Sequence, residues 1–447
     1  MSVLMRSVSG IRGIVGDSLT PAVLLNHVKA FLEVTQAKKI VIGRDSRPTG
    51  DAIIAFVTGV CRLSGVEVIE AGLSTTPTVE VLVPHFKAGG GIIITASHNP
   101  IEWNALKFLN QDGLFLGPKE VKTLFEIADR AAFAYPDYRG MGSVSHTENT
   151  DDIHIRQILE IPFIDAEMIR AAHLKVAVDA VNGAGSLIAP KLLESLGCEV
   201  TAIHCDPEKP FPRGAEPLPE NLKDLSRAVT ENHCAVGFAL DPDADRCALV
   251  NSKGEPAGEE YTLVIAAEEV LSQKQAPHCI NLSTSRMNED VAEKWGVPCF
   301  RAPVGEINVS LAMMEHGCVI GGEGNGGVIL PATHYGRDSL VAIALVLSWM
   351  ARRKLRVEDF AEQNPRYVIL KKKFAVGKTS VENVFSQIRE DFSGWKEDAR
   401  DGLWLGKEKC WVHVRASNTE PVIRVIAEAP DEAEAEKLCR LIERRMS

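Results

Sequence analysis

The sequence lacks the features that mark several large classes of protein. It carries no surplus of positive charge: 49 Lys+Arg stand against 60 Asp+Glu in 447 residues, a formal balance of −11. Nucleic-acid binders grip phosphate backbones with clustered Lys and Arg, so a polyanionic partner is excluded. A small anion held in a local pocket of donors is not. No two of the ten cysteines lie at C-x-x-C spacing. That removes zinc ribbons and dithiol redox motifs and leaves reduced core thiols, as expected of a cytoplasmic protein. The first 16 residues show no charged segment followed by an apolar run, so no signal peptide is read. The longest apolar stretch, Ser339 to Ala351 between Asp338 and Arg352, falls short of the roughly 18–20 residues needed to cross a membrane and reads as a buried helix. Hydrophobic content of 45% and charged content of 24% are those of a globular chain, and the length predicts two to four domains.

What is present is a weak repeat. Lys39 to Gly43 is a β-branched run, followed by a helical stretch from Ile53 to Leu63 and a second strand from Val66 to Ile69. The same order recurs from Lys175 to Val200 and, shortened, from Cys279 to Phe300. In each copy a glycine, Gly65, Gly197 or Gly296, precedes the second strand, where a residue without Cβ can close a helix with positive φ. Three such units predict three similar α/β domains with mainly parallel sheets. The C-terminal part reads as strands over Tyr367–Phe374, Cys410–Val414 and Val422–Glu428 with a helix over Asp431–Arg445, an α+β pattern. The boundaries give units of 1–150, 151–254, 255–364 and 365–447.

Four segments can carry chemistry. Gly89 to Ile94 leads into Thr95-Ala96-Ser97-His98-Asn99-Pro100, which places Ser97 on a loop after a strand, with His98 beside it and Lys107 ten residues on. Loops at the carboxyl ends of parallel strands are where α/β folds keep their reacting groups; an ordinary Asn-Pro turn is the competing reading. Asp241, Asp243 and Asp245 follow an apolar strand at alternate positions. Carboxylates packed this closely repel unless a cation compensates, and Mg²⁺ suits a few carboxylates plus a phosphate oxygen. The glycine-rich run Gly321 to Gly327 presents Glu323 and Asn325, an acceptor and an amide suited to sugar hydroxyls. Arg415-Ala416-Ser417-Asn418-Thr419-Glu420-Pro421 with Arg424 supplies two guanidinium forks and two hydroxyls, an inventory that matches a phosphate dianion. Arg12 in Ser9-Gly10-Ile11-Arg12-Gly13, and Arg44 to Arg47 after the first repeat strand, are weaker basic loops.

In this order, from SGIRG at Ser9 to Pro421, the segments resemble the α-D-phosphohexomutase superfamily over nearly the whole chain. The resemblance implies three similar α/β mixed-sheet domains and a C-terminal α+β TATA-binding-protein-like domain around a central cleft. It implies that Ser97 is the phosphoserine and joins Asp241, Asp243 and Asp245 around Mg²⁺. Lys107 and His98 would serve proton transfer or charge stabilisation, and Arg12 and Arg246 would neutralise the moving phosphoryl group. Glu323 and Asn325 look like readers of sugar hydroxyls. Arg415, Ser417, Asn418, Thr419 and Arg424 look like the clamp on the phosphate that does not react. The implied reaction converts a hexose 6-phosphate to a hexose 1-phosphate through a bound 1,6-bisphosphate, with rotation of the last domain, in a monomer or homodimer that binds neither nucleic acid nor membrane.

Several positions depart from the family pattern. Ala244 stands where the metal loop usually carries Gly, Ala105 replaces a frequent Gly, and Asn418 replaces the common Gly of the phosphate loop. The sugar loop reads GEGNGG where GEMSGH or GEQSGH is usual. Glucosamine 6-phosphate is the expected substrate, with mannose or glucose phosphates as the alternative. An aspartate-nucleophile phosphatase with Asp241 attacking would use one motif and leave the other three without a role.

Overall fold

The computed structural model describes residues 3–375, 381–416 and 422–446, and they form four sheets. The first has seven strands in the order Met5–Ser7, Gly10–Ile14, Trp103–Leu109, Gly91–Ile94, Lys39–Arg44, Glu67–Leu73, Val144–His146. Its centre is parallel, and Trp103–Leu109 and the two strands outside it run antiparallel. The second sheet orders Pro256–Gly258, Cys247–Asn251, Val236–Leu240, Lys175–Asp179, Glu199–Ile203. The third orders Cys299–Ala302, His278–Asn281, Ile320–Glu323, Gly327–Ile329. All three expected repeat units are parallel strand pairs joined by a helix. Gly65, Gly197 and Gly296 have φ of 79°, 75° and 67°, the left-handed closure that a Cβ would strain.

The helix Ser339–Arg353 is buried through Ala351 and packs into the largest core, between the second and third sheets. Asp338 caps it by accepting from the amides of Leu340 and Val341. Arg352 and Arg353 close the other end against the helix dipole and reach the buried Glu269. No helix among the described residues is long and apolar enough to cross a membrane.

The fourth sheet is wholly antiparallel: Val368–Ala375, Val422–Ala429, Cys410–Ala416, Leu403–Lys407, Lys396–Asp398. Helices Val381–Asp391 and Glu432–Glu443 cover one face, packing on Val412, Val414, Ile423 and Val425. Strand periodicity of two then turns Trp411, His413 and Arg415, and Arg424, Ile426 and Glu428, to the opposite face. That face meets the third sheet's loops. Ser285 Oγ donates to Glu428 Oε1 at 2.5 Å, the Arg286 amide donates to Oε2 at 2.9 Å, and Ser283 Oγ lies 2.8 Å from His413 Nδ1. The sequence reading passes over the helix Val381–Asp391, although its Val381, Val384, Phe385 and Ile388 recur at helical spacing, and over the two short strands before Cys410.

Candidate active site

Ser97 lies three residues beyond the strand Gly91–Ile94, at φ +48°, a left-handed conformation uncommon for a residue with a side chain. Its loop is tied down from several sides. Thr95 Oγ1 donates to Asp45 Oδ2 at 2.6 Å and accepts from the Ser97 amide at 2.9 Å. The fully buried Arg47 pairs with Asp45 at 3.0 Å and donates to the carbonyls of Ser97, Asn99, Pro100 and Trp103 at 2.5, 2.7, 2.5 and 3.1 Å. Arg47 belongs to the weaker basic loop of the sequence reading, and its role is to hold the serine loop in shape.

Across from it, Asp241, Asp243 and Asp245 follow the buried strand Val236–Leu240, and all three are buried. Ser97 Oγ donates to Asp241 Oδ2 at 2.9 Å. Lys107 Nζ, on the strand Trp103–Leu109, lies 2.6 Å from Asp243 Oδ2 and 3.7 Å from Asp245 Oδ2. Burial, then the neighbouring Asp245 and Asp243, push the Asp241 carboxyl well above the usual range. Burial pushes Asp243 the same way, but Lys107 and the Thr76 hydroxyl outweigh it and hold that carboxyl low. The same pairing overcomes burial at Lys107 and keeps its ammonium charged.

One carboxylate oxygen each of Asp243 and Asp245 is buried with no hydrogen-bond partner, and the three side chains offer ligand atoms within 4.8 Å of one another. Buried carboxylate oxygens without a partner, in a triad whose ligand atoms lie this close together, suit a hard cation, so the residues fit a divalent metal.

Arg12 reaches the serine loop through Asn99 Oδ1 at 3.0 Å. His98 Nδ1 is 3.5 Å from Ser97 Oγ. Burial, and then the charges of Arg246 and Arg12, push its imidazole down to about 3, so it is neutral at physiological pH. The Arg246 amide donates to Asp241 Oδ1 at 3.2 Å, and its guanidinium pairs with Glu216 at 2.8 Å. Arg246 thus joins the serine and metal loops to a cavity of about 280 Å³, at the small end of ligand sites. Glu323, Asn325, Arg415 and Arg424 line the same cavity. Ser417, Asn418 and Thr419 lie outside the described residues.

Sequence reading missed Arg337, on the loop before the long buried helix. Its guanidinium donates to Asp245 Oδ2 at 2.5 Å, Glu323 Oε2 at 2.7 Å and Glu306 Oε2 at 3.0 Å, joining the metal loop to the glycine-rich loop. A Cβ at Gly327 would fall 2.3 Å from Arg337 Cδ, so this arginine stem accounts for glycine at the last position of GEGNGG. Glu323 is engaged at its other oxygen too, by Asn281 at 2.8 Å and the Gly305 amide at 3.0 Å.

The chain matches known proteins over nearly its whole length. Family models described as phosphoglucomutase/phosphomannomutase alpha/beta/alpha domains I, II and III match residues 5–135, 152–254 and 258–367, and the model of the C-terminal domain matches 371–444. The chain is 32% identical over 436 residues to a probable phosphoglucosamine mutase of Methanopyrus kandleri, covering 96% of this chain and 95% of the relative. It is 32% identical over 442 residues to a phosphoglucomutase/phosphomannomutase of Thermococcus kodakarensis, covering 97% and 96%. A crystal structure of a phosphoglucomutase/phosphomannomutase family protein from Burkholderia thailandensis has the same fold, with a TM-score of 0.82 at 24% identity over 99% of this chain and 97% of that one.

Proposed function

The chain belongs to the phosphoglucomutase/phosphomannomutase family, and on that premise we propose that this intramolecular phosphotransferase works through phosphorylated Ser97, with glucosamine 6-phosphate as its substrate. The observation that carries the reading is the 2.9 Å hydrogen bond from Ser97 Oγ to a buried aspartate triad with two orphaned oxygens. The choice of sugar is supported by the name of the Methanopyrus relative. The four units 1–150, 151–254, 255–364 and 365–447 each contribute one loop: serine, metal, sugar and phosphate.

In the first half-reaction the bond from phosphorus to Ser97 Oγ breaks as one forms to the free hydroxyl of the bound hexose phosphate, giving a 1,6-bisphosphate. Asp241, Asp243 and Asp245 would hold a divalent cation, taken here as Mg²⁺, which when bound neutralises charge on the phosphoryl oxygens. Phosphoryl transfer asks the protein chiefly for positioning and charge. Arg12, Arg246 and the Lys107 ammonium supply the charge. Neutral His98 is available to take the hydroxyl proton, and Lys107 can return one to Ser97 Oγ. Glu323 and Asn325 hold the sugar, and Arg415, Ser417, Asn418, Thr419 and Arg424 hold the second phosphate. The intermediate then turns over and returns its other phosphate to Ser97. The last unit rotates between these steps, so that one clamp accepts both phosphates.

The ten free thiols suit a reducing, cytoplasmic setting. A coupled mutase assay under Mg²⁺ with glucosamine, N-acetylglucosamine, mannose and glucose phosphates tests the assignment. The highest kcat/KM is expected for glucosamine 6-phosphate, and no turnover of any of the four would refute it.

A further inference from the structure

Four glutamates line the cavity: Glu216, Glu259, Glu260 and Glu323. Three have a cation. Glu216 pairs with Arg246 at 2.8 Å, Glu259 with Lys371 at 3.2 Å and Glu323 with Arg337 at 2.7 Å. Glu260 has no salt bridge among the described residues; its Oε2 accepts only the Ser285 amide, at 2.9 Å. The Lys371 ammonium that Glu259 holds also favours the Glu260 charge, but burial outweighs it, so ionising Glu260 is costly unless a ligand brings a cation closer.

The glycine-rich loop is shaped around this carboxylate. A Cβ on Gly324 would lie 2.0 Å from Glu260 Oε1 and 2.3 Å from Oε2, so any side chain at 324 would evict it. Absence of a side chain there brings Glu260, from the first turn of the helix Glu260–Gln273, against the backbone between Glu323 and Asn325. Glu323 already has both oxygens engaged, and Glu260 does not.

We propose that Glu260 determines sugar specificity by receiving the ammonium group of an amino-sugar phosphate, a cation as close as those that the other three glutamates already hold. The inference rests on the phosphohexomutase reading and deepens it. Burial raises the Glu260 carboxyl to about 8, which disfavours its charged form, and an ammonium placed against it favours that form. A charge-assisted hydrogen bond of this kind is worth about 1.5–3 kcal/mol, roughly 10- to 100-fold in affinity. A neutral hexose phosphate offers a hydroxyl in the same place and gains little from the charge.

The test compares glucosamine 6-phosphate with glucose 6-phosphate in the full-length protein, by kcat/KM and by calorimetric binding to Ser97→Ala protein, which needs no turnover. The unsubstituted site is expected to favour the amino sugar, and Glu260→Gln to lower the amino-to-neutral ratio about tenfold or more in both measurements. Gly324→Ala, which displaces the carboxylate without removing it, is expected to lower the ratio in the same direction. An unchanged ratio, equal losses for both sugars, or no preference in the unsubstituted site would overturn the role of Glu260. Absence of turnover on either sugar would instead refute the mutase reading, and the binding ratio would still decide on Glu260.

Discussion

Arg415 and Arg424 stand directly opposite each other on adjacent antiparallel strands, and both line the cavity. Like charges in cross-strand register destabilise a sheet by about 0.2–1 kcal/mol unless an anion lies between or beside them. Arg415 is partly compensated by Asp401 at 3.0 Å. Arg424→Gln is therefore predicted to raise the thermal stability of the ligand-free protein slightly. The same substitution removes most of the stabilisation that inorganic phosphate gives the unsubstituted protein. Thermal unfolding with and without phosphate checks both halves, and an equal phosphate effect in the two proteins would place the clamp elsewhere.

Arg47 makes no contact with the reacting oxygen, yet it spans four carbonyls of the serine loop. A lysine ammonium cannot reproduce that planar fork. Arg47→Lys is predicted to lower kcat on the order of 100-fold, the usual cost of a misplacement near 1 Å, with KM changed far less. Steady-state kinetics separate the two. A change confined to KM would contradict the positioning role.

Ala244 occupies the centre of the aspartate loop at φ +55°. The left-handed region costs an L-residue about 1–2 kcal/mol, and glycine gives back part of that gain as unfolded-chain entropy. Ala244→Gly is predicted to stabilise the protein by about 0.5–1 kcal/mol in urea unfolding. Destabilisation would mean that the methyl group's packing outweighs the backbone strain.

Which parts of this site are legible in sequence follows from how locally they are encoded. Ser97 and the three aspartates each sit in a short run that an apolar strand delivers to a loop, so both strand and loop can be read from neighbouring residues. Arg337 meets Asp245 from 92 positions away, and Ser285 meets Glu428 from 143. Nothing in the neighbourhood of either residue announces its partner. The glycines at 324 and 327 are a middle case. They read as backbone freedom, whereas the structure shows them as room for Glu260 and Arg337, side chains that pattern alone does not connect to the loop. In the last unit, strands around Cys410 and Val422 were legible because they alternate, and the same alternation turns Arg415 and Arg424 to the cavity.

His413 is fully buried where the fourth sheet meets the third, with Nδ1 at Ser283 and Nε2 2.7 Å from the Asp401 carbonyl. Burial, helped by the charges of Arg415 and Arg301, lowers its imidazole to about 4, although the Asp401 carbonyl and carboxylate favour the proton. The unfolded chain takes up that proton near pH 6.5. Stability from the neutral native imidazole is therefore fully present above 6.5 and is lost as pH falls towards 4. Between pH 7 and 5 the unsubstituted protein should lose about 2 kcal/mol more than His413→Gln in urea unfolding. Equal losses would show that this junction does not sense pH.

The central claim is that phosphate resides on Ser97 and moves to the sugar. Intact-protein and peptide mass measurement, before and after adding a catalytic site's worth of hexose phosphate, tests it most directly. The account predicts an isotopically labelled phosphate on the peptide carrying Ser97 in protein charged with labelled glucose 1,6-bisphosphate, its replacement by an unlabelled phosphate from the sugar as hexose 6-phosphate turns over, and neither phosphate nor mutase activity in Ser97→Ala. Full mutase activity in Ser97→Ala, or a labelled phosphate that stays on Ser97 through turnover, would contradict it.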